Sequence, residues 1–203
     1  MDLLYFFGGL ACLVVLAIVV SYNRFVNQRN LIANSWSNID TELRRRYDLI
    51  PNLVETVKTY AEHERAVLTE VTKARAQAQS EKGSPEEQAM AETPLVHALK
   101  HLFAVVEGYP ELKASTHFRE LQDELTNTED RIQAARRFYN ANVRDFNTRV
   151  QAFPSNLIAG VFNFRIREYF QIEPALRSSV KQPPSVDYYG SPPGTNLSSD
   201  RRY

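Results

Sequence analysis

The 203-residue chain carries 24 Lys+Arg against 24 Asp+Glu, a balance that gives no global field for nucleic acid or for an acidic substrate. Its one cysteine, Cys12, excludes an intramolecular disulfide framework and a multi-cysteine zinc site. With only 7 glycines, and long stretches free of both glycine and proline, the composition favours helices over short strands joined by tight turns.

The first predicted element is a membrane span. No charged side chain occurs from Leu3 to Val20. At ~1.5 Å per residue that run is about 27 Å long as a helix, close to the ~30 Å hydrocarbon thickness of a bilayer. Tyr5 and Tyr22 stand near its ends, where amphipathic rings favour the interface. A cleavable signal peptide would show a basic leading segment, a shorter apolar core and a small-residue cleavage site. Here only Asp2 is charged ahead of the run, so it reads as a retained anchor, with Cys12 an inert lipid-facing side chain. Arg24, Arg29 and the triplet Arg44, Arg45, Arg46 all follow the span and no basic residue precedes it. The positive-inside rule then puts the N-terminus outside and the body on the cytoplasmic side of the inner membrane.

Beyond the span, Ile32, Trp36, Ile39, Leu43, Ile50, Val54, Val57, Ala61, Leu68 and Val71 recur at helical spacing, with Arg46 and Glu64 in the polar gaps. One long helix is expected from Asn27 to Gln79, nearly continuous with the span and kinked near Tyr47 to Pro51 by its single proline. Ser84-Pro85-Glu86-Glu87 reads as the start of a second helix reaching about Tyr109, with Thr93-Pro94 a possible second cap dividing it. A third helix, capped by Ser115 or Thr116, carries a stripe from Phe118 through Leu121, Leu125, Thr128, Ile132, Ala135, Tyr139, Val143, Phe146 and Val150 to Phe153. Ser155 is the expected cap of a short fourth helix to about Phe162, and Phe162, Phe164, Tyr169 and Phe170 could close one end. The remainder, rich in Pro, Ser, Gly and Tyr, lacks the apolar surface to offset ordering entropy and reads as disordered. The expected fold is all-α: an anchor at 1–23, an up-down bundle of long helices at 24–172, and a tail at 173–203.

From YNRFVNQRN through WSNIDTELRRRYDLIPNLVETVKTYAEHE, then VVEGYPELKAS, RRFYNANVRDFNTRV, FPSNLIAG and EYF, the sequence resembles the LemA family of bacterial membrane proteins. The likeness runs roughly from Tyr22 to Phe170. It implies a four-helix-bundle-like domain behind an N-terminal transmembrane helix, and no defined activity. Genes of the family often neighbour membrane zinc proteases, which implies an envelope quality-control setting. Pro94 and the tail after Phe170 depart from the family pattern, and nothing is carried over to them.

No Gly-rich phosphate loop, nucleophile elbow or Cys–His motif occurs, so no catalysis and no cofactor are expected. His97 and His101, four apart, could face one metal but lack the HExxH pattern, and packing or surface histidines are the simpler reading. Carboxylate pairs such as Glu86–Glu87 and Glu129–Asp130 read as helix charge patterning. Arg46 falls on the buried stripe and calls for a carboxylate across the bundle. Asn140, Asn142 and Asn147 are poor helix formers that read as register-fixing amides. Leu3, Val20, Tyr22 and Arg24 mark the anchor. Arg44, Arg45, Arg46, Asp48, Pro51, Asn52, Tyr139 and Asn140 are the candidate interaction or structural cluster. The expected role is a membrane-tethered scaffold that meets the bilayer, copies of itself or other envelope proteins, with no nucleic acid or small-molecule substrate. Alternatives are a subunit of a membrane protease or stress system, and a membrane-shaping protein with the first helix on lipid.

Overall fold

Helix α1 runs without interruption from Asp2 to Tyr60 in the computed structural model, which describes residues 1–171. The expected tail lies outside the described residues. At ~1.5 Å per residue α1 is about 88 Å long, and its two ends follow different rules. The apolar window at the N-terminal end is long and apolar enough to cross a membrane, and none of it is buried against the protein. From Phe25 onward one face is buried: Phe25, Ile32, Ser35, Ile39, Leu43, Arg46, Tyr47, Ile50, Leu53 and Val57. No breaker separates the halves, so the anchor and the first bundle helix are one rod.

Pro51 sits inside this helix without ending it. Proline has no N–H to offer the carbonyl four residues back, here that of Tyr47. Arg75 from the next helix supplies the missing donor, its Nε lying 2.5 Å from Tyr47 O. The cost of the proline is thereby offset by a tertiary hydrogen bond.

The expected helix to Gln79 is instead two. After Tyr60 the chain turns over, and α2 runs from Arg65 to Ser80, packed back on α1. Ala61 N–H closes on Val57 O at 2.9 Å and Glu64 N–H on Ala61 O at 3.1 Å, ending one helix and leading into the next. No glycine or proline marks this corner, and the apolar spacing passes through it in phase, since Ala61, Leu68 and Val71 are all buried.

Helix α3, Pro85–Val106, begins with a capping box: Ser84 Oγ accepts from Glu87 N–H at 3.3 Å and Glu87 Oε2 accepts from Ser84 N–H at 2.7 Å. It is one piece and stops before Tyr109, correcting both the possible division at Thr93-Pro94 and the expected end. Pro94 is exposed, as is Met90, the residue four back to which proline has no N–H to offer. A short α4, Pro110–Ala114, fills what reads as a link in the sequence. Ser115 caps α5, Thr116–Gln151, through Phe118 N–H. Helix α6, Ser155–Val161, follows a turn at Pro154. Ser155 does not cap it: it is the first helical residue, and its hydroxyl donates to Arg149 O and Ala152 O. An extended segment then runs back along α5.

The packing is antiparallel from helix to helix. Phe25 meets Phe146, Trp36 meets Tyr139, and Arg45 meets Glu124, so α1 and α5 run in opposite directions. Ala78 meets Gln88 and Glu70 meets His101, which gives α2 and α3 the same relation. Among the described residues no strand occurs. Of the predicted stripe, Phe118, Leu121, Leu125, Thr128, Ile132, Tyr139, Val143 and Phe146 are buried, Ala135 and Val150 are half-buried, and Phe153 is 79% exposed.

Candidate functional site

The middle of the bundle is built around a charge. Arg46 is 1% exposed, and its guanidinium lies between α3 and α5. Nη2 pairs with Glu92, itself 0% exposed, and Nη1 donates to Glu129 Oε2 at 2.8 Å. Tyr47, the next residue on α1, donates its hydroxyl to the other Glu92 oxygen. Gln88 Nε2 is within hydrogen-bond reach of Glu92 Oε1 at 3.0 Å, Ala78 O at 3.1 Å and the Tyr47 hydroxyl at 3.2 Å. Gln133 donates to Glu129 Oε1 at 2.7 Å. Four helices therefore converge on one polar network. Burial, reinforced by the Glu92 carboxylate, pushes the Tyr47 phenol far above its ordinary range, so it stays a neutral donor.

A second constellation ties the extended C-terminal segment to α5. Asn140 Nδ2 donates to Phe170 O at 3.0 Å and its Oδ1 accepts from Phe170 N–H at 2.9 Å. Asn147 does the same to Arg167, at 2.8 and 2.7 Å. Each amide thus acts as a peptide partner for an otherwise unpaired extended backbone. The spacing is matched: seven helical residues rise about 10.5 Å and three extended residues span about 10 Å. Tyr139 adds a bond from its hydroxyl to Glu168 O at 3.0 Å. Its phenol is pushed up to about 12 by burial, with Arg167 opposing and Glu168 reinforcing the shift. Phe170 is 0% exposed and sits edge-on to Trp36, while Phe164 stacks on Phe25 at 4.7 Å between ring centres. Asn142 plays the register role across helices, donating to Ser35 Oγ at 2.7 Å.

The candidate residues read from the sequence divide into five groups. Arg46 is in the central network, and Tyr139 and Asn140 hold the extended segment 164–171, the strap. Arg45 is half-buried and reaches Glu124 at 3.1 Å. Arg44, Asp48, Pro51 and Asn52 are exposed, and Arg44 pairs with Asp40 one turn back. Arg44, Asp48, Pro51 and Glu55 follow one another at steps of four, three and four, and Asn52 lies four beyond Asp48, so all five share the outer face of α1. Leu3 and Val20 are exposed in the apolar segment, and Tyr22 and Arg24 just beyond it.

Sequence reasoning missed Glu92, Gln88, Glu129 and Arg75. Glu92 and Gln88 were findable, because stepping back from Leu99 and Leu95 by helical spacing lands on both. Glu129 is more than charge patterning, since it carries one arm of Arg46. His101 lies 3.1 Å from Glu70 of α2. Among the described residues no group of three or more His, Cys, Asp or Glu converges.

A long apolar helix leading into a helical bundle locked by buried polar groups defines a membrane-associated, all-helical protein. The chain belongs to the LemA family, which it matches over residues 35–188. It is 26% identical to magnetosome protein MamQ 2 of Paramagnetospirillum magneticum, covering 83% of this chain and 71% of that one. The MamQ of Magnetospirillum gryphiswaldense is 25% identical over the same shares. Protein LemA of Metamycoplasma hominis is 28% identical, over 74% of this chain and 70% of its own length.

Proposed function

We propose that this protein is a non-catalytic, membrane-tethered scaffold of the bacterial envelope, anchored in the inner membrane with its N-terminus outside and its bundle cytoplasmic. The observation that carries this reading is the continuity of α1 from Asp2 to Tyr60. One rod holds both the anchor and the core, so the bundle cannot swivel freely on a linker. Past Val20, about 60 Å of helix projects from the membrane. The charges at its centre pair with one another, Arg46 with both Glu92 and Glu129. The outer face of α1 at Arg44, Asp48, Pro51 and Asn52 is the docking stripe, and its partner is a second copy of this chain or another envelope protein.

A photo-crosslinking residue at position 48 or 52, activated in intact cells, tests this. Covalent adducts from these positions, with none from the lipid-level position 10, are the expected result. Bare monomer from both outer-face positions would sink the scaffold reading. Orientation is checked separately, with a membrane-impermeant maleimide on Glu62→Cys in a Cys12→Ala chain. Labelling only after the membrane is opened is expected from the cytoplasmic side, and labelling of intact spheroplasts would reverse the topology.

A further inference from the structure

The membrane-proximal end carries apolar side chains that the bundle does not cover. Phe153 is 79% exposed, Leu157 60%, Val161 79%, Phe162 45% and Ile166 60%. Leu157 and Val161, four apart, share one face of α6. This patch is continuous with the span. A cleft of about 1100 Å³ is lined on one side by Val14, Ile18 and Ser21 of α1 and on the other by Leu157, Ile158 and Val161 of α6. Phe162 packs on Tyr22 at 4.8 Å between ring centres, so it lies at the level of the tyrosine that marks the end of the span.

We propose that α6 and the turn before it form a second membrane contact, an elbow whose apolar face rests in the bilayer interface while acyl chains fill the cleft. The inference rests on the apolar half of α1 lying in lipid. Given that, geometry places the elbow. From Val14 to Val20 is about 9 Å along the helix, and a wall reaching that far down lies at the depth where interfacial helices sit, roughly 5–10 Å into the headgroup and acyl boundary. The charges agree: Arg24, Arg144 and Arg149 border the same cleft with one acid, Asp145, an arrangement suited to anionic headgroups. Phe153, which the α5 periodicity assigns to the core, instead points away from it, as a side chain covered by lipid would.

Nitroxide labels test the depth. The full chain with Cys12→Ala carries a single label at Leu157→Cys or Val161→Cys, in phosphatidylethanolamine–phosphatidylglycerol nanodiscs. Leu10→Cys is the lipid reference and Glu62→Cys the water reference. All four positions are exposed on the folded protein, and retained helicity by circular dichroism confirms the fold. Collisions with oxygen well above those with a water-soluble nickel chelate at 157 and 161, as at 10, are expected. An oxygen-to-nickel ratio matching position 62 would overturn the elbow. So would loss of both kinds of collision together with label–label coupling that vanishes on dilution with unlabelled protein, because the cover would then be a second copy. A water-like signal at position 10 itself would instead break the anchor reading on which the elbow stands.

Discussion

At the level of Arg46 the bundle is tied by buried charge, whereas at the level of Asn140 and Asn147, nearer the membrane, it is tied by neutral amides and stacked rings. The first arrangement joins α1, α3 and α5 through a guanidinium that is almost wholly out of water. The second joins α5 to an extended strap whose outer edge still faces solvent. A buried ion network is all-or-none, because removing one member strands another in a medium of low dielectric. Amide-to-backbone pairs are modular, because each lost bond can be replaced by water at the exposed edge. The core is therefore rigid where four helices meet and able to open stepwise where the strap lies.

The sharpest way to break this contrast is to remove one central charge. Glu92→Ala leaves Arg46 buried without its main partner and should cost about 3–5 kcal/mol, read as thermal or urea unfolding in detergent micelles. Replacing Arg46→Met, Tyr47→Phe and Glu92→Met together should recover most of that loss, since Glu129 is partly exposed and can hydrate. If the single change costs under about 1 kcal/mol, the network is not the stabilising centre that its burial implies. Next in size is the proline support. Arg75→Met strips Tyr47 O of its donor and should cost about 1.5–3 kcal/mol as a lost bond to a charged group. With Pro51→Ala the helix supplies its own N–H, so the Arg75 change should then cost clearly less in a double-mutant cycle. Equal costs in both backgrounds would refute the compensation.

Both supports bear on how far the fold can be read from the chain. Helix periodicity, the apolar run and the Ser84 capping box are local signals, and they were legible because the physics that makes them acts within a few residues. The turn at Ala61–Glu64 was not, because apolar spacing keeps phase through it and only the packing of α2 on α1 folds it over. The burial of Arg46 was legible from its place on the stripe, yet its partners sit 46 and 83 residues away. Glu92 could have been suspected from the α3 spacing, whereas Glu129, at the edge of its helix face, could not. The asparagines were visible as misfits in α5. Their use of the backbone at Arg167 and Phe170 depends on a chain reversal through α6 that no side-chain pattern specifies.

Alkaline titration compares the two regions through their phenols. Tyr47 and Tyr139 are both held above the ordinary tyrosine range in the fold. A raised folded pKa means that the unfolded chain ionises first, so this contribution is complete below pH about 10 and declines as pH rises. For Tyr139 the decline runs from about 10 to about 12. Unfolding midpoints followed by circular dichroism should fall through that window, and Tyr139→Phe should flatten the fall. An identical slope in wild type and variant would remove Tyr139 from the account.

The smallest effects belong to the strap, and their inequality is informative. Asn140→Ala removes two half-buried bonds to Phe170 and should cost about 1 kcal/mol, whereas Asn147→Ala, at a more exposed site, should cost about half that. Hydrogen exchange read at single-residue resolution separates a clamp from a general stabiliser. Asn140→Ala should speed exchange at Phe170 N–H, and Asn147→Ala at Arg167 N–H, while amides near Arg46 keep their protection. If either change instead accelerates exchange around Arg46, the two regions unfold as one unit and the distinction between an all-or-none core and a modular strap fails. If both leave the strap amides as slow as before, Phe164 and Phe170 hold the segment by packing alone, and the matched spacing of the two asparagines is incidental.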